Sequence, residues 1–263
     1  MKSQKRSGCC LTNAGSDSGG NAGVQADLRA FHAYGLHGCT VFAALTAQNP
    51  FGVSAIHAVP ADFVGEQLDA VLGTYDIRAL KTGMLAEPEI IATVADRLAR
   101  HPEIEKVIDP VMVATSGAKL ISDAAIEMLK TRLLPQATLV TPNIPEAENL
   151  CGRSASPREL AQDLHERFGC AVLVKGGHGE GPDAMDVLYD GKDFREFTMP
   201  RVTDPVSTHG TGCSLAAALA AELALGHDLA SAAAGAKRYV HTAIENSYLV
   251  GKDCGVLGFV DLV

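Results

Sequence analysis

No Cys-x-x-Cys pair occurs among the seven cysteines, and their number is odd. This argues against a disulfide framework and against a structural zinc site, and it makes a reducing cytosol the expected compartment, so the chain reads as cytoplasmic. No uncharged apolar run reaches the ~18 residues that a membrane span needs. The basic start, Met1-Lys-Ser-Gln-Lys-Arg-Ser, lacks a long apolar core and a small-residue cleavage site, so no signal peptide is read. There is no Lys/Arg cluster, and 31 acidic against 22 basic residues give a net charge of −9, which argues against a nucleic-acid partner. The chain also lacks the Lys-Ser/Thr ending of a P-loop and the G-x-G-x-x-G spacing of a dinucleotide site. An acidic protein can still hold phosphates, through backbone amides and metal.

What is present points to an α/β fold. The 263 residues, 47% hydrophobic, can bury a sizeable core. No repeat, low-complexity tract or linker divides them, so the chain reads as a single domain over residues 1–263, with the first eight residues mobile. Strand patterns at Ala79–Thr82, Ile104–Asp109, Ala137–Thr141 and Ala171–Lys175 alternate with helical ones. The helices are expected at Val24–Tyr34, Glu87–Arg100, Ser122–Leu134, Ser156–Phe168 and Cys213–Leu225. Ser122 and Ser156 fit N-cap positions, and Pro157 fits the first helical position. This alternation implies parallel strands with helices on both faces. Each of the four strands delivers a polar or glycine-rich element at its carboxyl end, where open α/β sheets bind ligands.

The segment Thr208-His-Gly-Thr-Gly-Cys213 opens a long regular helix. A helix N-terminus presents unpaired N–H groups and partial positive charge, which attract phosphate or developing negative charge. The same field favours thiolate over thiol, so Cys213 is expected to be acidic enough to act as base or nucleophile. The alternative is a small buried hydrophobe behind a glycine turn. Asp109 ends an apolar strand. Asn143 and Glu146, three apart, fit either a capping box or, with Asp109, a magnesium site of hard oxygen ligands. Lys175 before Gly176-Gly177 is either a solvated strand-end charge or a phosphate clamp. His178 and His209 read as loop histidines, and Lys237-Arg238 as surface charges on a helix. The loop Gly15-Ser-Asp-Ser-Gly-Gly-Asn-Ala-Gly23 lets backbone approach a ligand closely, or is a plain strand-to-helix turn. An anion-binding helix start, metal carboxylates, a lysine clamp and a base together serve phosphoryl transfer.

Taken in order, Gly15-Ser-Asp-Ser, Gly23-Val-Gln-Ala-Asp27, Leu45-Thr-Ala-Gln48-Asn49, Lys81-Thr-Gly-Met84-Leu85, Asp109-Pro-Val-Met112, Thr141-Pro-Asn-Ile-Pro-Glu146, Val174-Lys175-Gly-Gly-His178 and Thr208-His-Gly-Thr-Gly-Cys213 resemble the hydroxymethylpyrimidine/phosphomethylpyrimidine kinases of thiamine biosynthesis, within the ribokinase-like superfamily. The resemblance runs from about Leu11 to about Tyr248. It implies a ribokinase-like three-layer α/β/α sandwich with a mostly parallel central sheet, usually a homodimer, using ATP and Mg²⁺ on a small-molecule pyrimidine. By the same resemblance Gly15, Asp27, Gln48, Met84 and Val111 would hold the pyrimidine, with Gln48 reading the ring edge. Asp109 and Glu146 would organise Mg²⁺, and Asn143, Lys175, Thr208 and Lys237 would line the ATP site. Gly210, Thr211 and Gly212 would form the anion hole, and Cys213 would be the base. Sugar kinases of the superfamily usually carry aspartate at the Cys213 position.

Two departures stand out. The usual bacterial first loop reads Thr-Asp-Pro-Ser-Gly-Gly-Ala-Gly, whereas this chain has Ser16-Asp-Ser-Gly-Gly-Asn-Ala-Gly23, closer to plant homologues, with Asn21 expected to bring a polar side chain near the substrate. Related pyridoxal kinases carry a lid cysteine after the Asp109 segment, where this chain has Val113-Ala114. The alternatives are a pyridoxal/pyridoxine kinase of vitamin B6 salvage and a catalytically silent pyrimidine-binding sensor.

Overall fold

The inner strands carry apolar residues on both faces, so both faces must be covered. In the computed structural model, which describes residues 8–113, 120–177, 179 and 181–258, they are. The expected mobility of the first eight residues falls, apart from Gly8, outside the described residues, as do His178 and Ala114.

The chain begins with β1 (Cys9–Gly15), α1 (Gly23–Ala33), β2 (His37–Asn49), β3 (Gly52–Ala58) and α2 (Ala61–Leu72). It continues through β4 (Ile77–Thr82), α3 (Pro88–Leu98), β5 (Glu105–Ile108), α4 (Asp123–Met128), β6 (Leu139–Val140), α5 (Ile144–Cys151), α6 (Pro157–Phe168) and β7 (Ala171–Val174). Then come β8 (Asp183–Tyr189), β9 (Phe194–Pro200), α7 (Thr211–Ala224), α8 (Leu229–Glu245) and a small hairpin of β10 (Tyr248–Val250) and β11 (Cys254–Val256). The main sheet runs β3-β2-β1-β4-β5-β6-β7-β8-β9. Strands β2 through β7 in that order are parallel, and β3, β8 and β9 join antiparallel at the two edges.

The two-residue period of the strands sorts the core into two halves. Cys10, Ala79, Val107, Leu139 and Leu173 pack with α1, α7 and α8. Their neighbours Leu11, Leu80, Ile108, Val140 and Val172 pack with α2 through α6 on the opposite face. The result is the expected three-layer α/β/α sandwich. Helix α7 has no polar side: Ser214 through Ala224 are buried without interruption. Its alanines let it lie between α1 and α8 and directly across β1, β4 and β5. That position brings its N-terminus to the carboxyl ends of the strands. No described helix is long and apolar enough to cross a membrane.

Local signals explain most boundaries. Ser156 and Glu159 form a reciprocal capping box at α6 with Pro157 in the first turn, and Ser122 accepts from the Ala125 N–H at α4. Gly152 and Gly169 close α5 and α6 in the left-handed region, both at φ 74°. The helix expected over 122–134 is shorter. After Met128 the chain widens into a π turn at Leu129–Leu133 and ends in a tight turn at Leu134–Gln136, where Pro135 has no N–H to donate. The strand expected over 137–141 contracts to Leu139–Val140.

Replacing Ser156 by alanine removes half of the capping box, and urea denaturation should show a loss of about 1 kcal/mol with an unchanged m-value.

Candidate active site

The strand ends, the first loop and the start of α7 enclose a cavity of about 890 Å³. Its wall contains Gly15, Gln48, Met84, Val111, Asp109, Asn143, Glu146, Lys175, Thr208, Gly210, Thr211, Gly212, Cys213 and Lys237, so of the residues to which the resemblance gives a binding or catalytic role only Asp27 is missing.

Gly210 caps α7 at φ 90°, and no side chain caps this helix. A Cβ at Gly210 would fall 1.9 Å from the backbone oxygen of Asn21, so only glycine fits. A Cβ at Gly212 would lie 3.6 Å from Lys175 Nζ, which sets the clamp lysine beside the open helix start. At the other end of the cavity, bare Gly15 backbone receives Met84: a Cβ there would meet its terminal methyl at 2.5 Å.

Lys175 follows β7 and is not a solvated strand-end charge. Its ammonium is 2.7 Å from Asp109 Oδ1, which also accepts from the Thr141 hydroxyl at 3.3 Å. Burial alone would depress the lysine, but the carboxylates of Asp109 and Glu146 outweigh it and hold its pKa above the ordinary value. Asn143 and Glu146 do form the capping box. Asn143 Oδ1 accepts from the Glu146 N–H at 2.8 Å, and Glu146 Oε2 accepts from the Asn143 N–H at 2.9 Å. The box also holds the Glu146 carboxylate in the cavity wall. Its pKa is raised by burial, with Asp109 pushing the same way and Lys175 opposing.

Three placements correct the sequence reading. Asp27 lies beneath the cavity rather than in its wall. Its carboxylate accepts from Lys81 Nζ at 2.9 and 3.0 Å and from the Thr12 hydroxyl at 2.6 Å, and the Lys81 and Asp27 side chains are completely buried. Lys81, quoted in the sequence only as part of a motif, forms the cavity floor in its place. Burial works against its charge, and Asp27 more than restores it. Asn21 is buried, and its side chain does not line the cavity. Three residues upstream in the same loop, the Ser18 hydroxyl accepts from the Gln48 N–H at 2.8 Å and donates to the Gln48 carbonyl at 2.7 Å. Cys213 is not acidified. Burial pushes its thiol above the ordinary cysteine value, the Lys81 ammonium pulls it back, and Asp27 and Asp109 add to the rise. The helix field does not overcome desolvation by these neighbours.

Sequence reasoning missed two carboxylates. Asp186 in β8 accepts from Lys237 Nζ at 2.8 Å and from the Gly176 N–H at 2.9 Å, so Lys237 is a fixed cation rather than a surface charge. Asp17 accepts from the N–H groups of Gly19, Asn21 and Ala22 at 2.8–2.9 Å. Burial opposes its ionisation, but the hydrogen bonds from His209 and this backbone nest hold its carboxyl below the ordinary range. Asp186 lies within an antiparallel strand, and Asp17 lies two residues past β1, a strand that the sequence reading did not pick out. Removing one partner of the Lys81–Asp27 pair strands a buried charge. Lys81→Met should therefore cost about 3–5 kcal/mol in urea denaturation, and the Lys81→Met/Asp27→Leu double variant should recover most of it.

A family model described as phosphomethylpyrimidine kinase matches residues 17–258. The thiamine biosynthesis bifunctional protein ThiED of Geobacter sulfurreducens is 48% identical over 257 residues, covering 96% of this chain, which spans about half (52%) of that protein. The hydroxymethylpyrimidine/phosphomethylpyrimidine kinase of Rhizobium meliloti is 45% identical, with 89% of each chain covered. Among solved structures, an ADP complex of Bacillus subtilis pyridoxal kinase superposes with a TM-score of 0.88 at 31% identity, covering 98% of this chain and 99% of that one. With its cavity walled by the same ordered motifs, the chain belongs to the phosphomethylpyrimidine kinase family.

Proposed function

We propose that the chain transfers the γ-phosphoryl group of ATP to 4-amino-5-hydroxymethyl-2-methylpyrimidine, and then to its monophosphate, giving the diphosphate used in thiamine biosynthesis. It would work as one ribokinase-like domain, in a cytoplasmic homodimer. The observation that carries this reading is the opposition of two ends within one cavity. Gly15, Gln48, Met84 and Val111 line it where β1, β2, β4 and β5 end, while Lys175 and Lys237 line it from the end of β7 and from α8, Lys175 by the open start of α7. The names of the relatives support the same reaction.

In this reading Asn143, Thr208, Lys175 and Lys237 hold the nucleotide, and the backbone of Gly210, Thr211 and Gly212 takes the charge that develops on the transferring phosphoryl oxygens. Cys213 Sγ takes the hydroxymethyl proton as that oxygen attacks phosphorus and the bond to ADP breaks. The residues fit a magnesium ion. Two buried carboxylates, Asp109 and Glu146, share one wall, and Asp109 helps to push up the Glu146 pKa, an anionic crowding that a cation relieves. Among the described residues no group of three or more His, Cys, Asp or Glu could hold a metal, so these two carboxylates are the ligands the chain itself would offer. Asp109 and Glu146 would hold such an ion, which would supply positive charge against the phosphates.

A pyridoxal kinase is the second reading, favoured by the close superposition on the Bacillus subtilis enzyme. A comparison of kcat/KM for the pyrimidine and for pyridoxal with Mg-ATP decides between them, and a higher value for the pyrimidine is expected. Absence of transfer to either pyrimidine and to pyridoxal would leave the silent sensor as the surviving reading.

Cys213→Ala should lower kcat roughly 10²–10⁴-fold, the range for loss of a general base. Because burial raises the thiol's pKa, only a minor fraction is thiolate at neutral pH. The wild-type rate should therefore climb as pH rises from neutral into the alkaline range, and the alanine variant should lose that slope.

A further inference from the structure

Gln48 reaches the cavity from the end of β2, and its surroundings decide which way its carboxamide faces. Its backbone is already fixed at both polar atoms by the Ser18 hydroxyl. At the tip, the Thr46 hydroxyl lies 2.7 Å from the Ser16 carbonyl oxygen and 3.2 Å from Gln48 Oε1. A hydroxyl has one hydrogen, and both of these neighbours are acceptors without one. On the other side, Gln48 Nε2 lies 3.4 Å from His209 Nε2. Were that ring nitrogen to accept from the amide, its lone pair would also face Asp17 Oδ2, 3.6 Å away.

Turning the carboxamide over removes both conflicts. The Thr46 hydroxyl donates to Ser16, the Gln48 NH₂ donates to the Thr46 oxygen, and the His209 Nε2–H points at the Gln48 oxygen with Asp17 beside it. The two ends of an amide have nearly the same shape, so the hydrogen-bond network chooses between them. Asp17 is itself held by three backbone N–H groups and is almost fully buried, so it is a fixed anchor for the ring.

We propose that His209, oriented by Asp17, is a positioning residue that locks the Gln48 amide with its oxygen toward His209 and its NH₂ toward Thr46, and that this fixed order of acceptor and donor selects the heterocycle. The inference rests on Gln48 reading the ring edge. With the order locked, an edge that offers an exocyclic N–H beside a bare ring nitrogen pairs in one sense only. An unlocked amide would meet either sense and would lose discrimination against a ring that carries a hydroxyl there. The histidine needs no part in proton transfer for this role.

The ring nitrogens of ¹⁵N-labelled wild-type protein give the first test. Nε2 of His209 is expected to carry a proton, and a bare Nε2 overturns the proposal. In kinetics, His209→Leu should raise KM for the aminopyrimidine about tenfold, as for the loss of one oriented hydrogen bond, with a smaller change in kcat. KM for ATP should stay within about twofold, and His209→Gln, which restores an N–H donor, should recover part of the loss. In a Gln48→Ala background, His209→Leu should shift KM for the aminopyrimidine by less than about twofold. If Gln48→Ala raises that KM while His209→Leu does not, this proposal falls and the ring-reading role of Gln48 stands. If Gln48→Ala itself has no effect, the ring-reading role falls and the proposal falls with it.

Discussion

Placing cationic groups in a cavity before any anion arrives is the demand on which the rest of this structure depends. An isolated buried ammonium costs several kcal/mol. Here each of three lysines is tied to its own aspartate: Lys81 to Asp27, Lys175 to Asp109 and Lys237 to Asp186. The pairs join α1 to β4, the end of β5 to the end of β7, and β8 to α8, so the elements that bury apolar surface also carry the charge balance. A phosphate entering the cavity meets cations whose positions are already fixed and whose desolvation has already been offset, which is the sense in which electrostatics can be preorganised. The same pairing accounts for Cys213. Two of the three aspartates lie near enough to oppose its ionisation, and Lys81 and Lys175 lie near enough to assist it.

The legible part of the fold was the part governed by local rules. The capping serine Ser156, Pro157 and the strand-end motifs mark boundaries within a few residues, because each signal acts inside one turn of chain. The edge hairpins were not legible. β3 exposes most of its residues and β8 and β9 mix charged with apolar ones, so neither shows the continuous apolar run of an inner strand.

In the site, residues that follow strands or open helices were found because their backbone position already says that they face the cleft. Partnership was not legible. Asp27 and Asp109 look alike in the sequence, each a carboxylate near apolar residues. Each takes a lysine, and that Asp27 does so beneath the cavity while Asp109 does so in its wall depends on contacts across 54 and 66 residues of chain. The acidity of Cys213 failed for the same reason. A helix start is a local feature, while the desolvation that outweighs it comes from the fold around it.

The contact between Gly210 and Asn21 leaves no room for even one methyl group. The loop beside the proposed acceptor and the loop beside the proposed donor thus share a single thickness of backbone. In mechanical terms they are one hinge-free wall: neither can shift toward its own ligand without carrying the other along. An inserted residue or a bulkier side chain on either loop would therefore disturb both ends of the cavity at once. Variation in what this scaffold accepts has to come from side chains set into the wall rather than from reshaping the wall itself.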